Sequence, residues 1–221
     1  MHIVNAKNRG YHKIEGAVRA FNFDFRDKVV LDIGSSTGGF TEIALEHGAK
    51  RVIAVEKGTN QMKSPLRYDP RIELHEKTDI FNVKATKTLF EGYGFDQATS
   101  QNMGSSQSRT FTNIPPNKVF VAFPDIIVAD VSFISLTNIL KYAKDHLSSK
   151  STDFLVMLKP QFEAKPYQLN NGVVKNEKIR REIIKNFEFW LKQNDFIIIK
   201  KRDNDLAGKN GNLERFYWLK K

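Results

Sequence analysis

The segment "VVLDIGSSTGGFTEIALEHGAKRVIAVEKG" (29–58) constrains the fold of this 221-residue chain more than any other stretch. An apolar, β-branched run leads into a glycine-rich turn, an amphipathic stretch and a second apolar run. This is the pattern of a strand–helix–strand unit in a parallel sheet. Further short apolar runs alternate with helical stretches along the chain, so the sequence predicts an α/β fold.

Seven strands and five helices are predicted from the hydrophobic periodicity. The strands cover residues 28–34, 51–57, 71–76, 125–130, 153–158, 196–202 and 215–221, and the helices cover residues 13–22, 38–47, 60–66, 135–147 and 175–194. Only a short connection separates the last two strands, which predicts an antiparallel pair at the sheet edge. We therefore expect a Rossmann-like, mostly parallel seven-stranded sheet whose last strand is antiparallel.

The length predicts a single domain over residues 1–221. Residues 97–118 are polar and rich in Gly, Ser and Asn, which predicts a long mobile loop. The absence of cysteine excludes disulfides and thiolate metal sites, and the histidines lack metal-ligand spacing, so no metal is expected. No apolar run approaches the roughly 20 residues of a membrane span, and no secretory signal is visible. These features predict a soluble, cytoplasmic protein.

The glycine-rich turn predicts a nucleoside-type cofactor site. Gly34 allows a tight turn off the strand, and Gly38 and Gly39 allow close approach to the helix start. Glu56 follows the second strand, where an acid accepts hydrogen bonds from a ribose diol. The spacing G-x-x-x-G-G is neither the dinucleotide pattern nor a P-loop, so a cofactor without phosphate fits better. We infer S-adenosylmethionine, with Asp32 near its amino-acid part.

Asp79 follows the third strand, at the edge where an adenine amino group would lie; the alternative is that Asp79 only caps a turn. The predicted cofactor-binding residues are Asp32, Gly34, Ser35, Ser36, Thr37, Gly38, Gly39, Phe40, Glu56, Asp79 and Asp130.

Several further segments carry a family resemblance. "DIGSSTGGFTEIALEHGAKRVIAVEKGTNQM", "LRYDPRI", "VADVSFISL", "LKPQFEA" and "GNLERFYWL" resemble the TlyA-type ribosomal RNA 2′-O-methyltransferases, which are relatives of the FtsJ/RrmJ methyltransferases. The resemblance implies the class I S-adenosylmethionine-dependent methyltransferase fold. Members usually carry an S4 RNA-binding domain before this region. Only about a dozen residues precede Lys13, so no S4 domain is expected in this chain.

The resemblance also implies catalytic residues. The family's Lys-Asp-Lys-Glu tetrad corresponds to Lys13, Asp130, Lys159 and Glu214. Asp130 and Lys159 each close an apolar strand and Glu214 opens the last one, which places three members at the edge where open α/β sheets bind ligands. Lys13 is assigned by the resemblance alone. The alternative is a structural ion-pair cluster at the strand ends.

Two roles remain open for Lys159 in methyl transfer to a ribose hydroxyl. An ordinary lysine is protonated at neutral pH, so a general base at this position requires desolvation or a neighbouring cation such as Lys13. Lys159 would otherwise stabilise a developing alkoxide. In "SFISL" (132–136), Ser132 or Ser135 is expected to cap a helix, while Phe133 and Ile134 fill the core. Phe162 is a candidate wall against a splayed base.

The net charge of +10 predicts a polyanionic partner. Together with the resemblance, it favours ribosomal RNA or ribosomal subunits as the substrate, with cytidine as the implied nucleotide. One alternative is a non-catalytic RNA-binding or ribosome-assembly module, which the intact tetrad disfavours. Another is a membrane-active hemolysin, a name used in this family, although no span or strongly amphipathic arm supports it.

Overall fold

A computed structural model describes residues 7–86, 118–208 and 211–221. The predicted loop at 97–118 lies, except for its last residue, outside these residues. The strands are β1 Val29–Ile33, β2 Arg51–Val55, β3 Ile72–His75, β4 Val83–Thr86, β5 Val119–Ala122, β6 Ile126–Ala129, β7 Asp153–Leu158, β8 Ile197–Asp203 and β9 Arg215–Lys220. The helices are α1 Arg9–Phe21, α2 Gly39–Glu46, α3 Leu136–His146, α4 Pro160–Glu163 and α5 Glu177–Gln193.

All seven predicted strands lie in one sheet, in the order β3-β2-β1-β6-β7-β9-β8. The pairs among β3, β2, β1, β6 and β7 are parallel, whereas β9 runs antiparallel to both β7 and β8. The predicted fold class is confirmed, including the antiparallel last strand. That strand lies one position inside the sheet, and β8 forms the edge.

Helices cover both faces of the sheet, as its strands require. Helices α1 and α2 pack on one face through an apolar cluster that includes Ile14, Phe21 and Ile43. Helices α3 and α5 pack on the other face, around Leu140, Phe187 and Tyr217. Strands of a parallel sheet that is covered on both faces are apolar throughout, which explains why they are continuous apolar runs in the sequence.

Two features differ from the predictions. The predicted helix over 60–66 is wrong: the segment bends through Asn60, whose φ is 54°, and its only helical turn is a 3₁₀ turn at Leu66–Tyr68. Pro65 accounts for this, because proline disfavours helical geometry in the residue before it. In addition, β4 and β5 form a separate two-stranded parallel sheet that the sequence pattern did not predict.

Helix α1 begins at Arg9, four residues before the predicted start at Lys13. The Asn8 side chain caps it by accepting a hydrogen bond from the backbone N–H of Tyr11. Lys13 is therefore inside the helix, one residue before the fully buried Ile14. This early start places a buried lysine over the edge of the sheet at which β1, β6 and β7 end.

Candidate active site

The turn after β1 brings the chain against the neighbouring strand ends. Gly34 has φ +79°, and its N–H donates to the Val55 carbonyl at the end of β2. A Cβ on Gly34 would lie 3.2 Å from the Asp130 carbonyl oxygen after β6. A side chain here would be strained and crowded, so glycine is required where the chain passes between β2 and β6.

Gly38 and Gly39 also permit close approach, but the approaching atoms in the structure are protein atoms. A Cβ on Gly38 would lie 2.4 Å from the Leu66 side chain, and one on Gly39 would lie 2.4 Å from the Tyr11 backbone nitrogen. These glycines therefore let α1 and the 62–66 segment pack against the start of α2. Their predicted contact with a ligand stays a prediction.

Glu56 lies just past β2 and holds the glycine-rich turn. Its carboxylate accepts hydrogen bonds from the backbone N–H groups of Ser36 (2.9 Å) and Gly58 (2.5 Å) and from the Gln61 amide (3.3 Å). The Ser36 hydroxyl in turn donates to Gln61 (2.8 Å). Glu56 thus organises the rim of the site as well as lining it.

A cavity of about 640 Å³ opens beside this rim. Among its lining residues are Gly34, Ser36, Glu56, Asp79 and Asp130 from the predicted site, together with Val131, Ser132 and Phe133. Asp79 caps a 3₁₀ turn at Ile80–Asn82 by accepting from Phe81 N–H, and it also forms an ion pair with Lys57 (3.0 Å). The turn-capping role of Asp79 and its position at the cavity therefore occur together.

Asp32 is fully buried in β1, where the Thr41 hydroxyl donates to its Oδ2 at 2.6 Å. Its Oδ1 atom has no hydrogen-bond partner among the residues that the structure describes. Burial raises the pKa of Asp32 to about 7; nearby Asp130 and Glu56 also raise it, while the Thr41 hydrogen bond opposes the shift. A buried carboxyl oxygen without a partner marks a place where a polar ligand group or water would be stabilised.

A smaller cavity of about 130 Å³ adjoins the larger one, because Gly34, Ser36 and Asp130 line both. Its other lining residues include Ser35, Thr37, Gly39 and Phe40 from the predicted set, together with Arg9, Gly10 and Lys13. The glycine-rich turn, α1 and the end of β6 therefore border two adjoining cavities. All the predicted cofactor residues except Asp32 and Gly38 line one or both of them.

Two lysine–carboxylate pairs lie beside the two cavities. Lys13 Nζ on α1 lies 2.8 Å from Glu214 Oε2 just before β9, and both side chains are buried. Lys159 Nζ at the end of β7 lies 2.5 Å from Asp130 Oδ1 at the end of β6. The structure thus pairs the four predicted catalytic residues, and Lys13 and Asp130 face the same small cavity.

Residues 132–135 follow the sequence prediction at Ser135 but not at Phe133. Ser135 caps α3 as predicted, accepting from Thr137 N–H. Phe133 does not fill the core: its side chain is exposed, with 92% of its surface open to solvent, and its φ is +64°. Ser132 accepts a hydrogen bond from Lys159 Nζ at 2.9 Å. The sequence pattern identified neither this contact nor the exposed aromatic ring.

Phe133 has an aromatic neighbour in Phe162, three residues after Lys159 in the sequence. The Phe133 and Phe162 rings have centroids 5.3 Å apart, and Lys159 Nζ lies 5.9 Å from the centroid of the Phe162 ring. An exposed aromatic residue beside a buried lysine is the signal that sequence reasoning lacked, since "SFISL" has the composition of a core segment.

Within the described parts of the chain, no group of three or more His, Asp or Glu side chains is arranged to hold a metal ion. Nor does any helix there have the length and apolar character needed to cross a bilayer.

Comparison with known proteins identifies relatives across almost the whole chain. Residues 6–221 match the FtsJ-like methyltransferase family. The *Mycobacterium tuberculosis* 16S/23S rRNA (cytidine-2′-O)-methyltransferase TlyA is 30% identical over 96% of this chain and 68% of its own length. Hemolysin A from *Brachyspira hyodysenteriae* is 30% identical over 94% of this chain and 73% of its own length. The chain thus spans about two thirds to three quarters of these relatives.

Solved structures agree with this assignment. A *Lactococcus lactis* protein named as a hemolysin superposes with a TM-score of 0.77 at 30% identity, covering 98% of this chain and 89% of that one. An S-adenosylmethionine-dependent methyltransferase from *Listeria monocytogenes*, at 14% identity, shares the fold with a TM-score of 0.60 over 96% of this chain and 98% of its own. By sequence and by fold, this chain belongs to the FtsJ-like methyltransferase family and is a TlyA-type member of it.

Proposed function

We propose that this protein transfers a methyl group from S-adenosylmethionine to a ribose 2′-hydroxyl of ribosomal RNA, at a cytidine. The observation that carries the proposal is the pairing of Lys13 with Glu214 and of Lys159 with Asp130 beside two adjoining cavities. The family, and the activity for which the mycobacterial relative is named, support the reaction and the nucleotide.

The residues around the two cavities fit S-adenosylmethionine. The larger cavity offers carboxylates of Glu56 and Asp79 for a ribose diol and an adenine amino group. The smaller cavity is lined by Arg9 and Lys13, whose positive charges suit an amino-acid carboxylate. Asp32 is buried beneath the glycine-rich turn and lines neither cavity, so its contact with the amino-acid part stays a prediction. When bound, S-adenosylmethionine supplies an electrophilic methyl group on its sulfonium.

Lys159 is proposed to act on the 2′-hydroxyl proton or on the charge that develops at that oxygen. It is buried, directly follows β7, and is held between Asp130 and Ser132, which both line the larger cavity. A lysine in this setting either accepts the proton as a general base or donates to the alkoxide as it forms. Both roles need Nζ to lie at a fixed position, which the two contacts provide.

Lys13 and Glu214 are proposed to set the charge of the site. Glu214 supplies the counter-charge that the buried Lys13 ammonium requires, so a paired cation is maintained next to the smaller cavity. The cation would orient the anionic groups of the bound molecules.

Phe133 and Phe162 are proposed to hold the target nucleobase. Single-stranded RNA is commonly recognised by stacking splayed bases on aromatic rings. Phe133 is exposed, it lines the larger cavity, and Phe162 lies beside both Phe133 and Lys159. A base held there would bring its own ribose close to Lys159. The charge of +10 suits the surrounding RNA phosphates.

The cofactor half of the proposal is tested by calorimetric titration with S-adenosylmethionine. Wild type is expected to bind, and Glu56→Gln and Asp79→Asn are each expected to weaken binding by roughly tenfold, since each removes one charge-assisted hydrogen bond. Glu73→Gln is the matched control, because Glu73 on β3 pairs with Arg51 on β2 and neither residue lines the cavity. Wild-type protein without measurable binding would contradict the proposal.

The transfer half is tested with tritiated S-adenosylmethionine and unmodified ribosomal subunits, followed by mass spectrometry of nuclease digests. The expected product is 2′-O-methylcytidine, formed by wild type and not by Lys159→Ala. A methyl group on a base, or on another nucleotide, would refute the proposed target. Tight cofactor binding without transfer to either subunit would favour the non-catalytic module.

A further inference from the structure

Two segments of the site are joined at both of their ends. Lys159, at the start of the α4 turn, donates to Ser132, and Glu163, at the end of α4, binds the start of α3. The Glu163 carboxylate accepts from Leu136 N–H at 2.7 Å and from the Ser135 hydroxyl at 2.6 Å. Residues 132–136 and 159–163 therefore hold each other in one fixed relation.

The backbone at Phe133 makes this double attachment possible. Its φ of +64° lies in the left-handed region, which costs a bulky non-glycine residue about 1–2 kcal/mol. The reversal lets Ser132 contact Lys159 while Ser135, three residues later, caps α3. A strained conformation persists where surrounding contacts enforce it, and here those contacts come from Lys159 and Glu163.

Asp130 and Ser132 hold the Lys159 ammonium in different ways. Asp130 Oδ1 lies 2.5 Å from Nζ and forms an ion pair with it, without a hydrogen bond to this oxygen among the described residues. Ser132 receives the hydrogen bond that Nζ donates in the described structure. An ion pair constrains distance, whereas a hydrogen bond also constrains direction.

We propose that Ser132 is a positioning residue for Lys159: its hydroxyl fixes the direction of the ammonium group toward the reacting hydroxyl. This inference rests on the proposed function, because the reacting hydroxyl is part of it. Lysine has a flexible four-carbon stem. Without Ser132, Nζ would keep its charge partner but sample several orientations, and fewer of them would be productive.

The kinetic test compares Ser132→Ala and Ser132→Thr with wild type in the methyl-transfer assay. Ser132→Ala is expected to lower kcat roughly tenfold, with KM for S-adenosylmethionine and RNA changed less than about twofold, because the loss concerns orientation rather than binding. Ser132→Thr keeps the hydroxyl and is expected to restore most of kcat. Ser151→Ala is the matched control, an exposed serine in the turn before β7.

A second readout does not depend on catalysis. Competitive acetylation with limiting acetic anhydride, read by mass spectrometry, reports the accessibility of each lysine amine. Lys159 is expected to react at least threefold faster in Ser132→Ala than in wild type, relative to Lys165 in the same molecule. Ser132→Thr is expected to react like wild type.

The two readouts distinguish failure of the proposed function from failure of the positioning role of Ser132. A wild-type protein without methyl transfer refutes the proposed function, and the acetylation ratio still decides whether Ser132 holds Lys159. Unchanged kcat together with an unchanged acetylation ratio in Ser132→Ala would overturn the positioning role. Equal losses in Ser132→Ala and Ser132→Thr would also overturn it, since the hydroxyl would then not be the group that acts.

Discussion

In the Lys13–Glu214 pair both side chains are enclosed, with 9% and 2% of their surfaces exposed, whereas in the Lys159–Asp130 pair the carboxylate is 20% exposed. Glu214 is covered by the preceding loop: a Cβ on Gly208 would lie 2.6 Å from its Oε1. Asp130 lines both cavities.

This difference in exposure means that the four residues of the predicted tetrad do not occupy equivalent positions. The Lys13–Glu214 pair connects α1 to β9 across the protein interior, so its removal should affect folding as well as chemistry. The Lys159–Asp130 pair connects the ends of two adjacent strands at the cavity, so its removal should affect chemistry most. Four substitutions test this contrast.

The largest effect on activity is expected from Lys159→Ala. Removing the amine should lower methyl transfer by roughly 10²–10⁴-fold, because no other group would handle the proton or charge at the 2′-oxygen. Affinity for S-adenosylmethionine should stay within about twofold in calorimetry. Lys165→Ala, an exposed lysine on the following segment, is the control. A Lys159→Ala enzyme that retains half its kcat would contradict the contrast between the pairs.

The largest effect on stability is expected from Glu214→Gln. It leaves the Lys13 ammonium buried without its counter-charge and should lower the free energy of unfolding by about 3 kcal/mol. Asp130→Asn should cost less, about 1 kcal/mol, because Asp130 is 20% exposed and lines both cavities, so water there can partly solvate the Lys159 charge that remains. Urea denaturation of the two variants measures both values. Equal losses would show that burial does not distinguish the pairs.

Lys13→Met combined with Glu214→Gln sharpens this result. The double variant has no buried charge at this pair, so it should recover part of the stability that Glu214→Gln loses. Methyl transfer should not recover with it.

Asp32→Asn should change how stability depends on pH. Because the pKa of Asp32 is raised to about 7, the folded protein keeps a proton that the unfolded chain has released between about pH 4 and 7. The carboxylate therefore destabilises the fold progressively as pH rises through that window, and fully above it. Asparagine removes this cost, so we expect about 1–3 kcal/mol more stability at pH 8 and little change at pH 4. Equal effects at both pH values would contradict this.

The smallest effect on stability is expected from Phe133→Gly. Glycine relieves the backbone strain at φ +64° but adds conformational freedom to the unfolded chain. The free energy of unfolding should therefore change by less than about 1 kcal/mol. KM for RNA should nevertheless rise roughly tenfold with the loss of base stacking. Tyr68→Ala is the control, because Tyr68 is another exposed aromatic residue and does not line either cavity. An unchanged KM would remove Phe133 from the RNA contact.

The sheet could be predicted because buried parallel strands leave continuous apolar runs, and the carboxyl-edge position of Asp130 and Lys159 follows from where those runs end. Local backbone geometry could not be predicted in the same way. The helical pattern of 60–66 did not indicate that Asn60 adopts a left-handed conformation. Likewise, the composition of 132–136 did not indicate that the Phe133 side chain is exposed to solvent. Such positions are decided by tertiary contacts, here with Lys159 and Glu163.

Because β9 runs against its neighbours, its first residues arrive at the edge of the sheet where β6 and β7 finish. The chain can therefore deliver Glu214 to a site whose other members come from much earlier positions. Among the residues that the structure describes, those lining the larger cavity end at Ile139, and Glu214 lies 75 residues later (214 − 139). During synthesis, these lining residues are thus made well before Glu214, the last member of the predicted tetrad.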